Sequence, residues 1–177
     1  MDGFEAKSPS RKLRQYSLAA QVCLRSLATA ASLAAAWIMF ANKQCADVFG
    51  IPFDARYSYF TAFEYFAIAN LFVCIFSLLS LVASILLARS AGPNIYYYMF
   101  LHDLVMLILV ISGSAAATAI GMVGKYGNTH TGWIKLCDTF DKFCDRTVIS
   151  FGLSYLCCFL YLLLVVISVI KSRNTRA

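Results

Sequence analysis

Charge is what this chain of 177 residues has little of: Asp, Glu, Lys and Arg together make up 14%, against about 25% in a soluble domain. Apolar residues reach 60%, the mean hydropathy is +0.71, and the apolar residues gather into long blocks. A soluble core is thereby excluded in favour of a polytopic membrane protein. Histidine is confined to His102 and His130, and a lone His102-Asp103 step offers too few ligands for a metal. A glycine-rich phosphate loop, a nucleophile elbow and a paired Cys-His site are all missing, so neither an enzyme nor a resident cofactor is expected. There is no glycosylation sequon. Asp2 is incompatible with myristoylation, and the ending "NTRA" is not a prenylation box. The start, "MDGFEAKSPSRKLRQY", is polar and the first apolar block exceeds a signal-peptide core, so that block is expected to be an uncleaved anchor.

Four blocks are long enough to cross a bilayer: about 17–40, 63–87, 98–123 and 148–170. Each exceeds the ~20 residues that a helix rising ~1.5 Å per residue needs to cross ~30 Å of hydrocarbon. Barrel strands would be shorter and alternating. The expected fold is an all-α membrane protein, a four-transmembrane-helix bundle forming one domain over 17–170, with a disordered tail at 1–16 and a short tail at 171–177. Loops 41–62 and 124–147 lie on one side. A tight Gly92-Pro93 turn joins spans two and three, followed by Tyr96, Tyr97 and Tyr98 at the level of an interfacial aromatic belt.

The side holding both tails and the short turn carries eight Lys and Arg with two acids, whereas the two longer loops hold six bases with five acids. The positive-inside rule therefore places both termini in the cytoplasm. The +6 net charge is read as topology and attraction to anionic lipid rather than nucleic-acid binding, because the tails are too short for such a module.

Within the spans two charges stand out. Asp103 lies in "FLHDLVMLILV", where a carboxylate near a helix centre costs roughly 2.5–3.5 kcal/mol. Arg25 lies in "QVCLRSLAT", eight residues into span one. Both spans enter from the same side, which puts the two charges at one level. Gln21, Arg25, Thr29 and Ser32 line one stripe of span one; Asp103, Val110, Ser114, Ala117 and Gly121 line one of span three. Small residues allow close helix approach in lipid. Spans one and three are therefore expected to pack face to face, tied by an Arg25–Asp103 ion pair. A path for an ion or proton lined by the same charges is the alternative, and would make the protein a small channel or transporter. Glu64, at the start of span two, suits the positive end of a helix dipole.

Of seven cysteines, Cys137 and Cys144 lie close together in "CDTFDKFC" on the non-cytoplasmic side, where two such thiols commonly join. Cys45 is left over, either free or linked to another chain. Cys23, Cys74, Cys157 and Cys158 lie within spans and read as small buried residues. The acidic and aromatic stretch around the disulfide, with Trp133, Phe140 and Phe143, suits an exposed partner-contact loop.

Taken together, Arg25 in span one, Asp103 in span three, "AFEYFAIAN" and "GNTHTGW" followed by "CDTFDKFC" resemble the Casparian strip membrane domain protein-like (CASP-like) family of plants, from about Lys12 to Ile170. The loop "NKQCADVFGIPFDARYSY" lacks the longer signature of strip-forming members, and the likeness is to the broad CASP-like branch. The resemblance implies a multi-pass plasma-membrane protein in contact with the lipid bilayer, forming homo- or hetero-oligomers with CASP-like proteins as a non-enzymatic scaffold that organises a membrane domain. In strip-forming relatives such scaffolds guide secreted peroxidases and other cell-wall enzymes.

Overall fold

A computed structural model describes residues 9–48, 50–87 and 93–176. Four long helices dominate: α1 (Pro9–Phe40), α2 (Thr61–Leu87), α3 (Pro93–Tyr126) and α4 (Asp141–Arg176). All four are long and apolar enough to cross a membrane, over Leu18–Phe40, Thr61–Leu86, Tyr97–Tyr126 and Asp141–Ile170. Large apolar side chains cover the outside, among them Trp37 at 71% and Leu86 at 71% exposure; such a surface is stable when hydrocarbon, not water, surrounds it.

Local signals set the helix ends. Pro9 and Pro93 open α1 and α3, where a missing N–H costs nothing. Glu64 lies in the first turn of α2 and Lys125 in the last turn of α3, each opposing the dipole of its helix. After α3 the chain turns at Gly127, with φ 69°, whose N–H bonds the Val123 carbonyl. A Cβ there would meet the Trp133 carbonyl oxygen at 2.8 Å, so conformation and space both require glycine. The α-helices extend past the expected spans. Residues 9–16 and 171–176, expected in the tails, are helical, and α4 begins at Asp141, inside the expected loop 124–147. Hydropathy registers the hydrocarbon-spanning part of a helix, whereas backbone hydrogen bonding continues into the polar layer. The rest of the expected N-terminal tail and the turn at Gly92 lie outside the described residues.

The first long connection holds an antiparallel hairpin, β1 (Lys43–Val48) and β2 (Ile51–Arg56), in register from Lys43 opposite Arg56 to Val48 opposite Ile51. Gly50, with φ 79°, lies just before β2, where a left-handed backbone favours glycine. A short 3₁₀ turn, Tyr57–Tyr59, leads into α2.

Around the bundle the order is α1, α2, α3, α4 and back to α1, with each helix packed along its two neighbours. The expected direct packing of spans one and three is therefore corrected: α1 and α3 stand across the diagonal. Their small residues admit α2 and α4 instead. Cys157 and Ser150 of α4 donate to the carbonyls of Ala28 and Ala35 on α1. At Gly113 of α3, an added Cβ would lie 3.2 Å from the Ala69 Cβ of α2. Helical periodicity shows which residues share a stripe but not which neighbour the stripe meets.

The core has two layers. Toward the termini lie Val73, Met106, Val110, Tyr161 and Leu164, with Ala28 and Ala31. Toward the hairpin lies an aromatic layer in which Phe66 contacts Phe151 at 5.3 Å and Phe63 contacts Phe143 at 6.2 Å. Gly113→Ile should force α2 from α3 and lower stability by about 1–3 kcal/mol, whereas Gly152→Ala, where an added Cβ meets nothing within 4 Å, should be neutral or better. Thermal unfolding of the detergent-solubilised protein measures both.

Candidate functional site

Arg25 and Asp103 are 1% and 0% exposed, and Arg25 Nη2 donates to Asp103 Oδ2 at 2.6 Å. Their side chains span the α1–α3 diagonal and meet at the bundle axis. Arg25 Nη1 donates to Ser80 Oγ of α2 at 2.8 Å. Ser168 of α4 approaches the same carboxylate oxygen at 3.5 Å, and His102 Nδ1 lies 3.4 Å from the other. One ion pair thus draws on all four helices. Opposite charges in a low-dielectric interior attract strongly, but each has lost its hydration, so the cluster selects an arrangement more than it adds net stability. Among the described residues, Arg25 Nε has no hydrogen-bond partner.

The other diagonal is bridged as well. Ser77 of α2 hydrogen-bonds the Tyr161 hydroxyl of α4. Nearer the centre, Ser154 of α4 donates to Asn70 Oδ1 of α2 at 2.9 Å and contacts Ser114 Oγ of α3 at 2.8 Å. Asn70 sends its amide back to the Phe66 carbonyl. Sequence reasoning passed over Ser77, Ser80 and Tyr161; an asparagine in the apolar run "FAIANLF" was the available signal for the Asn70 bridge.

At the loop end, Gln44 of β1 caps α4 from outside. Its Oε1 accepts from the Phe143 N–H at 2.7 Å, and its Nε2 donates to Asp141 Oδ1 at 3.1 Å. Asn42 donates to the Phe143 carbonyl and to Thr147 Oγ1. The bond from the Phe143 N–H to Gln44 satisfies a donor that a helix start leaves open, and together these bonds clamp the hairpin to α4. At the base of the hairpin, Tyr59 of the 3₁₀ turn and Arg56 of β2 hydrogen-bond Asp54 and hold its carboxyl below the ordinary range.

Cys137 and Cys144 form a disulfide, with Cα atoms 5.7 Å apart. Cys45 is a free, exposed thiol; Cys74, Cys157 and Cys158 are buried, while Cys23 is exposed. Of the residues expected to contact partners, Trp133 is 51% exposed, but Phe140 at 6% and Phe143 at 2% are not available. This corrects the reading of those two phenylalanines. The disulfide draws the chain back onto the helix ends, and Phe140 just before α4 and Phe143 in its first turn both pack into the aromatic layer around Phe63.

Arg25→Leu should destabilise the protein by roughly 3–5 kcal/mol by stranding a buried carboxylate. Adding Asp103→Leu to it should recover most of the loss, and thermal melting of the single and double variants reads the coupling. Cys137→Ser should cost about 2–3 kcal/mol, and Gln44→Ala about 1 kcal/mol. Both should raise hydrogen exchange over the first turns of α4 while leaving that around Asp103 unchanged.

Comparison with known proteins identifies the family. The family model described as the Casparian strip membrane protein domain matches residues 15–160. CASP-like protein 1F1 of Vitis vinifera is 44% identical over 180 residues, covering 99% of this chain and 87% of the relative. CASP-like protein 1F1 of Populus trichocarpa is 45% identical over 167 residues, covering 94% and 92%. The Arabidopsis thaliana protein of the same name is 36% identical over 164 residues, covering 93% and 95%. No solved structure matches the chain. With a matched domain that spans most of its length and relatives alike nearly from end to end, this chain belongs to the Casparian strip membrane protein domain family.

Proposed function

We propose that the protein is a non-enzymatic scaffold of the plasma membrane that associates with itself or with other CASP-like proteins in the plane and organises a membrane domain. Both termini face the cytoplasm, as the distribution of Lys and Arg indicates. The hairpin and the disulfide loop face outward and offer Ile51, Phe53, Trp133 and Ile134, all at least half exposed, to partners such as secreted peroxidases or other wall enzymes.

The observation that carries this reading is the use made of the intramembrane charges. Arg25 and Asp103 neutralise each other at the axis, with Ser80 and Ser168 around them. Charges that serve transport line a path or change partners; these two bind four helices into one body. The outer surface is then a rigid apolar wall, including the stacked pair Phe72 and Phe76 on α2, able to pack against copies of itself by van der Waals contact.

Crosslinking in intact plant membranes should yield a ladder of oligomers containing this chain. A strictly monomeric product would overturn the scaffold reading. So would a selective flux in liposomes of the purified protein that Asp103→Asn abolishes, since that outcome assigns the charges to a transport path.

A further inference from the structure

Beneath the disulfide loop, between the ends of α3 and α4, lies a cavity of about 450 Å³, within the ~300–1,000 Å³ typical of ligand sites. Phe63, Phe143 and Phe151 form its back wall, Gly121 and Gly124 leave a flat face on α3, and Leu136 lies above. Met122 and Val148, 53% and 59% exposed, stand at its side. Both belong to the helix surfaces that face lipid, so the opening leads sideways into the bilayer.

Two features specify an occupant. The first is depth. Thr118 and Lys125 both line the cavity, and seven residues of helix separate them by about 10 Å. The cavity therefore runs from the polar layer one-third of the way into ~30 Å of hydrocarbon, and accommodates the headgroup-proximal part of one chain. The second is the charge at the rim, where Lys125, Asp141 and Asp145 line the same cavity. The Asp141 carboxylate is engaged by Gln44 and by the Lys142 N–H. Asp145 has no hydrogen bond or ion pair among the described residues, and Lys125 lies over the Tyr126 ring at 5.6 Å. A cation and carboxylates on one rim complement a zwitterion, whose phosphate and ammonium each find an opposite charge there. A lipid with net negative charge would set its charge against two carboxylates. The exposed Trp133 at the rim suits a quaternary ammonium.

We propose that this cavity is a lateral binding site for a choline phospholipid from the leaflet on the hairpin side, with one acyl chain between α3 and α4, its phosphate at Lys125 and its trimethylammonium group at Asp145. The site is independent of the scaffold reading, because a monomer would present it equally well. A lipid held there would support the disulfide loop from below and become part of the surface shown to partners.

The test uses the full-length protein in phosphatidylcholine liposomes carrying a trace of lipid with a photoactivatable group near the glycerol end of one chain. Phosphatidylcholine, phosphatidylglycerol and a sterol probe are compared, and adducts are mapped by mass spectrometry. The phosphatidylcholine probe should label residues 118–126 and 143–151 about tenfold more than the phosphatidylglycerol probe, a preference of about 1.4 kcal/mol. Gly124→Leu should obstruct the cavity and reduce that labelling severalfold; a Cβ there meets only the Leu136 Cβ, at 4.0 Å, so the fold should tolerate it. Asp145→Lys lies at the rim and should reverse the preference toward phosphatidylglycerol, a gain that misfolding would not produce. Uniform labelling around all four helices, preferential sterol labelling at these residues, or an unchanged pattern in both variants would overturn the proposal.

Discussion

A guanidinium and a carboxylate, each stripped of water, meet on the axis of this bundle, and the arrangement of the helices depends on that meeting. In hydrocarbon the hydrophobic effect does not drive helices together, so polar groups that need partners carry much of the specificity. Arg25 reaches Asp103 across one diagonal and holds Ser80 on the way. Tyr161 with Ser77 and Asn70 with Ser154 bridge the other diagonal. Rotating any one helix would strand at least one of these groups in an apolar medium. The penalty for a wrong register thus exceeds the reward for the right one, which is how a polar core confers uniqueness without great stability.

The two faces of the molecule are built differently. Toward the termini, the interior is tied by charge and hydroxyl groups. Toward the hairpin, it is an aromatic layer closed by the loops, with Phe140 and Phe143 drawn inward and Gln44 and Asn42 fixed on the start of α4. A two-stranded hairpin alone is marginal in water; here the side chains of β1 anchor it to a helix that is itself part of the bundle. The disulfide acts on the same helix start from the other side. The loops are thereby presented at a set height and orientation over the helix ends.

The family relationship covers nearly the whole chain and with it the four-helix frame, but fold alone does not specify function. The frame accounts for membrane residence and for the pairing of the intramembrane charges. The loops, the lipid-facing walls and the cavity between α3 and α4 are the surfaces that this frame leaves open.

Composition and hydropathy alone determined that four helices cross a membrane, because the need to satisfy every backbone hydrogen bond in hydrocarbon leaves long apolar runs no other form. An arginine and an aspartate in such runs also implied each other, since either alone is too costly to keep. Only the tertiary structure decided that they meet across a diagonal, with α2 and α4 filling the small-residue faces of α1 and α3. It alone decided that Phe140 and Phe143 point inward, and that Gln44 caps a helix almost a hundred residues away. The reason is physical: burial and hydrogen bonding within a segment follow from its own residues and solvent, whereas the neighbour a face meets is chosen by the other three helices at once.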